Sequence, residues 1–266
     1  MSDLAIPARA GSPGLRRGRG AEFAVMAGRC VRLSRRNIDA LLTALMLPVL
    51  LMLIFVYLFG GAISSREAYV TYVVPGVLLL CTGYGAATTA VAVSSDLTEG
   101  TVERFRSMDV SAWAILGGHV VASVARNAVA TLLVLAVAVA IGFRPSASPA
   151  RAVAAAGVLL LFVLAMSWLS AAVGLLASGP EAASGFTFAV MFLPYASSAF
   201  VPVETMPGWI QGFARHQPVT PVIETLRGLL LDAPTGAAPL WAVAWCLLLL
   251  AASVLASVLL LRRRVC

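Results

Sequence analysis

Long apolar runs broken by short polar segments dominate this chain. Six stretches of about twenty mostly apolar residues, each long enough to cross roughly 30 Å of hydrocarbon as a helix, fall at 41–59, 69–93, 120–143, 152–177, 182–201 and 240–261. The expected fold is all-α, a polytopic membrane protein with six transmembrane helices. Before the first run, Phe23, Met26, Cys30 and Leu33 recur at helical spacing while Arg29, Arg32 and Arg36 take another face, which predicts an amphipathic helix over 21–38 resting on the membrane surface. Residues 1–20 read as a flexible basic tail and 39–266 as the six-span domain.

Composition agrees with this pattern. With 60% hydrophobic residues, 12% charged ones and a mean hydropathy of +0.93, a soluble globular domain is excluded. The first run starts near Leu41 and exceeds a secretory signal core of about 7 to 15 residues, so it reads as a retained span.

Charge adds direction. All 19 basic residues are arginine. Arg9, Arg16, Arg17, Arg19, Arg29, Arg32, Arg35 and Arg36 precede the first run, and Arg262, Arg263 and Arg264 follow the last, which predicts cytoplasmic termini and an even number of spans. The net charge of +7 then meets anionic lipid headgroups, and a nucleic-acid partner is unnecessary. This topology makes the loop at 95–112 cytoplasmic and the segment at 202–238 extracytoplasmic.

Chemistry is conspicuous by its scarcity. The spans hold no Asp, Glu or Lys, which disfavours an ion-coupled carrier; His119 and Arg126 alone approach the membrane, in the third span, and read as interface anchors. A phosphate-cradling ATPase loop needs a lysine, and the sequence has none, so any ATP hydrolysis belongs to another polypeptide. His119 and His216 fall on opposite sides of the membrane. Cys30, Cys81, Cys246 and Cys266 form no metal or disulfide pattern, so no metal or catalytic site is expected.

The richest polar segment is 96–110. Asp96 followed by Glu99 has the spacing of a capping box and predicts a helix starting at Leu97, weakened by Gly100. On that helix Glu99, Glu103 and Arg106 share one edge while Val102, Phe105 and Met108 share another, which fits equally a helix inserted into a cleft on a second protein and a solvated turn joining two spans. In the 202–238 segment, Thr220 and Pro221 read as an N-cap with proline at N1, followed by an apolar stripe of Val222, Leu226, Leu229 and Leu230.

The run Glu99-Gly100-Thr101-Val102-Glu103-Arg104-Phe105-Arg106-Ser107-Met108-Asp109-Val110-Ser111 resembles the signature loop of type-two ATP-binding-cassette exporter permeases, particularly the daunorubicin-resistance type, with Asp109 where that family has proline. Phe200, Pro202, Pro207, Trp209, Gln211, Pro218, Pro221 and Arg227 are similar to the family's spacing between spans five and six. The resemblance implies that Glu99, Gly100, Thr101, Glu103, Arg104, Phe105, Arg106 and Met108 form a coupling helix that docks on a separate ATPase. It also implies that Pro202, Pro207, Trp209, Pro221 and Arg227 belong to re-entrant helices near an extracytoplasmic gate. The implied complex is a non-catalytic permease paired with a second copy or a paralogue in a bacterial inner membrane, with two ATPase subunits holding ATP and magnesium. Its implied cargo is a hydrophobic drug, antibiotic or lipid-like molecule. Export of lipid or lipid-linked polysaccharide, a membrane assembly scaffold and an integral-membrane enzyme stay open as alternatives.

Overall fold

The computed structural model describes residues 19–36, 38–63, 66–107 and 110–265, and every regular element among them is helical. The chain begins with α1 (Arg19–Arg36) and α2 (Ile38–Ile54); a π-helical turn at Phe55–Phe59 and the short α3 (Gly60–Ile63) prolong α2. Next come α4 (Arg66–Thr98), the six-residue α5 (Thr101–Arg106), α6 (Ala112–Ala140) and α7 (Pro149–Leu176). The remainder comprises α8 (Pro180–Phe192), α9 (Gly208–His216), α10 (Val219–Leu230) and α11 (Ala238–Val265).

Among the described residues, four segments are long and apolar enough to cross a membrane: Ala68–Thr98 in α4, Ala112–Ala140, Pro149–Leu176 and Ala238–Arg262 in α11. Helices that are apolar nearly all round close their own backbone hydrogen bonds, as a hydrocarbon solvent demands. The other two expected spans are shorter. The first contributes an apolar helix over Leu45–Phe59, and the fifth stops at Phe192 and tightens into a 3-10 turn at Leu193–Ala196. Pro194 sits in that turn, and Ser197 seals it by donating from both its backbone N–H and its hydroxyl to the Pro194 carbonyl. Pro48 and Pro75, by contrast, are carried inside α2 and α4 without ending them.

α4 is the axis of the molecule. Its most apolar stretch is 78% buried, against 17% for α11, and it packs on α2, α6, α7, α8 and α10. Tyr69, Val73, Val77 and Leu80 of α4 meet Met52 of α2, Val56 of the π-helical turn, Val134 of α6, Phe162 of α7 and Ile223 and Leu226 of α10 in one core. With about 1.5 Å of rise per residue, α4 carries its Tyr72 and Asp96 about 36 Å apart. Each of the two candidate functional regions therefore sits at one end of a single stiff element.

Candidate functional site

At the α5 end, α4 runs two residues beyond Asp96 before the chain turns at Glu99 and Gly100. The N-cap expected at Asp96 is therefore not formed. Thr98 donates its hydroxyl to the Ser94 and Ser95 carbonyls and the Glu99 N–H bonds the Ser95 carbonyl, so the helix keeps its ladder until Gly100 breaks it at φ +68°. Such a left-handed position suits glycine, which lacks the Cβ that would crowd the next carbonyl. A new helix, α5, then starts at Thr101, with the Arg104 N–H bonded to the Gly100 carbonyl and the Ser107 hydroxyl donating to the Arg104 carbonyl. The break places Glu99 outside α5, so the single helix expected to run on from Leu97 is divided in two.

Of the eight predicted coupling residues, Glu99 and Arg104 are exposed, and Gly100 and Thr101 are half-buried. Glu103, Phe105 and Arg106 are helical, but their side chains, like all of Met108, lie outside the described residues. Val102 does not project outward as an edge for another protein. It packs instead against Met26, Ala114 and Ile115, joining α5 to α1 and α6.

Asp96 has a different part from the one its spacing predicts. Buried near the end of α4, it accepts from Arg29 Nη1 of α1 at 3.0 Å and lies 3.0 Å from His119 Nε2 of α6. One carboxylate thus ties three helices separated by 67 and 23 residues in sequence. Burial lowers the Arg29 pKa, but the Asp96 hydrogen bond and charge outweigh it and leave it raised, so this cation stays charged. The neighbouring Cys30 thiol is pushed up by burial to about 11.

α1 approaches α6 closely because Gly117 and Gly118 present no side chain: a Cβ on Gly118 would come within 3.0 Å of the Met26 backbone, and one on Gly117 would strike the Phe23 ring. Further along, Arg126 Nη1 donates to Ser34 Oγ at 3.0 Å, so α1 and α6 run alongside each other in the same direction. Arg126 Nη2 donates to the Gly85 carbonyl at 2.8 Å and to Thr89 Oγ1 at 3.1 Å on α4. The expected snorkelling anchor is instead a cross-link, and His119 is a buried partner of Asp96. In an apolar bundle, both side chains take the nearest acceptors.

At the α10 end, α9 and α10 are the two short helices expected there. Thr220 is not the N-cap: the helix starts one residue earlier, and Thr220 Oγ1 reaches back to the Ala214 carbonyl at 2.5 Å while accepting from the Ser198 N–H. Pro202 and Pro207 are exposed and precede a 3-10 turn at Val203–Thr205 and α9 respectively; Trp209 is 83% exposed. Pro221 is buried within α10, as are Val222 and Leu226 of the predicted stripe.

Arg227 is the structural centre of this end. Its guanidinium lies 3.8 Å from the Tyr72 ring centroid and donates to the Ser198 carbonyl at 2.9 Å and the Tyr72 carbonyl at 3.2 Å. Tyr72 donates to the same Ser198 carbonyl at 3.0 Å, and Tyr69 to the Phe200 carbonyl at 3.3 Å. Phe200 stacks between Phe55 of the π turn, at 4.2 Å, and Tyr195, at 5.1 Å. Sequence reasoning marked Arg227 and Phe200 but missed Tyr69 and Tyr72, whose role depends on carbonyls more than a hundred residues away.

Residues 21–231 match the family model described as ABC-2 type transporter, which takes in both ends of α4. The chain belongs to the ABC-2 type transporter family. It is 33% identical over 192 residues to the daunorubicin resistance ABC transporter permease protein DrrB1 of Streptomyces coeruleorubidus, covering 71% of this chain and 68% of the relative. It is also 24% identical over 201 residues to the probable doxorubicin resistance ABC transporter permease protein DrrC of Mycobacterium tuberculosis, covering 75% and 73% respectively. The ABC-2 match accords with a multi-pass membrane protein whose long helices carry no cluster of three or more metal-ligating side chains among the described residues.

Proposed function

We propose that this chain is the membrane subunit of a drug-exporting ATP-binding-cassette pump in a bacterial plasma membrane. It crosses the bilayer six times with both termini in the cytoplasm, α2 and α8 serving as the shorter first and fifth spans. It pairs with a second copy or a paralogue and with two ATPase subunits, which bind ATP and magnesium and perform the hydrolysis. The names of the anthracycline-resistance relatives support a hydrophobic drug as cargo.

The observation that carries the coupling role is the bracing of α5. Its Val102 packs on α1 and α6, and the adjoining end of α4 is locked to the same two helices through Asp96. Force applied by an ATPase to the exposed Glu99–Arg104 surface therefore reaches three helices at once, and α4 carries it to the Arg227 cluster. Such an arrangement behaves as a rigid lever, since packed interfaces shift between discrete arrangements more readily than they deform. The α9–α10 hairpin, dipping into the outer leaflet, forms the far end of that lever, and α1 lies at the inner interface.

The test is co-expression with a cognate ABC-type ATPase subunit, followed by ATP-driven doxorubicin accumulation in inverted vesicles, where export runs from the outer medium into the lumen. Reversing the charge at Glu103, Glu103→Arg, is expected to abolish ATPase retention and efflux together while leaving the membrane subunit at normal abundance. Efflux at the wild-type rate by this variant would refute the coupling role of α5.

A further inference from the structure

Between α1, α4 and α6 lies a cleft of about 620 Å³, a size typical of small-ligand sites. Its titratable lining consists of Cys30, Arg36, Asp96, Glu99, His119 and Arg126. Asp96 is already paired with Arg29 and in contact with the His119 imidazole, and Glu99 is exposed beside the α5 turn. Arg126 stands differently. All its hydrogen bonds go to neutral acceptors, Ser34, Gly85 and Thr89, its Nε is buried without an acceptor, and among the described residues no carboxylate pairs with it. A permanently charged guanidinium inside a membrane bundle, lacking a counter-charge from the protein, calls for an anion from outside it. Arg36 is exposed on the same lining, which also carries the Ser34 and Thr88 hydroxyls and apolar Leu33, Val91 and Ala92. A guanidinium matches phosphate geometry, and the mixed lining suits a molecule that is anionic at one end and apolar at the other.

We propose that this cleft binds the phosphate headgroup of an anionic phospholipid, with Arg126 as the inner cationic ligand and Arg36 as the outer one. The site is separate from drug export in its readout, because lipid retention requires neither cargo nor ATP. A headgroup seated there bridges α1, α4 and α6 beside the Asp96 tie, so the lipid becomes part of the structure next to α5.

The test uses the full chain purified with its ATPase in mild detergent and incubated with equal amounts of dioleoyl phosphatidylglycerol and dioleoyl phosphatidylcholine. Retained lipids are counted by native mass spectrometry. The wild type is expected to keep phosphatidylglycerol about tenfold over phosphatidylcholine, and Arg126→Gln to lose that preference. Ala92→Trp fills the cleft from an exposed lining position without touching the Arg126 hydrogen bonds, and the same loss is expected. If Arg126→Gln fails to fold, Ala92→Trp decides alone. Equal retention of the two lipids by the wild type, or wild-type preference in either folded variant, overturns the proposal. Displacement of phosphatidylglycerol by millimolar inorganic phosphate overturns the lipid as the ligand and assigns the site to a soluble phosphate.

Discussion

The two ends of α4 are fastened by different physics. At the α5 end, the fastening is an ion pair, Asp96 with Arg29, whose carboxylate also meets the His119 imidazole, inside a bundle that would otherwise penalise the charges. At the α10 end, the half-buried cation Arg227 donates to two carbonyls and lies over a tyrosine ring, with the Glu224 charge nearby, and the surrounding contacts are stacked aromatic rings. A charge-paired joint loses most when one member is removed, because an uncompensated ion remains. A carbonyl-and-ring joint loses in smaller steps, because any one neutral partner of the cation can go while the others still satisfy it. The end proposed to receive force is thus all-or-none, and the end proposed to shape the exit is graded.

Removing the shared carboxylate tests that contrast most severely. Asp96→Asn removes the carboxylate that pairs with Arg29 and meets His119 and is expected to destabilise by about 2–4 kcal/mol. A thermal melt in detergent, with ATPase co-purification as the second readout, checks it; both should fall together. If only the melting temperature falls, Asp96 braces the bundle without serving α5. At the opposite end, Arg227→Met gives up two carbonyl hydrogen bonds and a cation–π contact, for about 2 kcal/mol. Here ATPase retention should stay at the wild-type level while doxorubicin efflux drops. Loss of the ATPase in this variant would erase the distinction between the ends.

The turn at Gly100 probes the lever itself. Gly100→Ala places a Cβ at φ +68° and is expected to cost about 1 kcal/mol, while Gly100→Asn costs less because asparagine tolerates the left-handed region. Efflux should follow the same order, glycine above asparagine above alanine. An alanine variant as active as the wild type would mean that the break between α4 and α5 carries no force.

Much of this architecture was legible because apolar runs of sufficient length admit few folds in lipid. The helices over 68–98, 112–140, 149–176 and 238–262 fall close to the runs seen in the sequence. The end of the fifth run was not legible, since apolar composition does not reveal that Ser197 and Pro194 curl the chain after Phe192. The α5 region was legible as a polar island but not as two helices, because the Asp-to-Glu spacing of a capping box also occurs where an aspartate faces inward to distant partners. Nothing local distinguishes an Asp96 that caps a helix from one that pairs with Arg29. Only the close approach of α1 to Gly117 and Gly118 brings that arginine within reach. The same holds for Arg227, whose partner carbonyls lie 29 and 155 residues away.

The smallest expected effect uses Cys30 as a reporter of the charged end. Burial raises its pKa to about 11, with Asp96 raising it further and Arg29 opposing. At pH 8 the thiolate population is then at least about a hundredfold below that of an exposed cysteine, so maleimide labelling at Cys30, read by peptide mass spectrometry, should be slow by a similar factor. Asp96→Asn removes the nearby negative charge and leaves Arg29 to favour the thiolate. Both changes lower the Cys30 pKa, and labelling at that site should speed up several-fold. Arg227→Met acts at the far end of α4 and should leave the rate unchanged. If it accelerates Cys30 to the same extent, the two joints are not independent, and α4 transmits strain from the aromatic end to the charged one even without the ATPase.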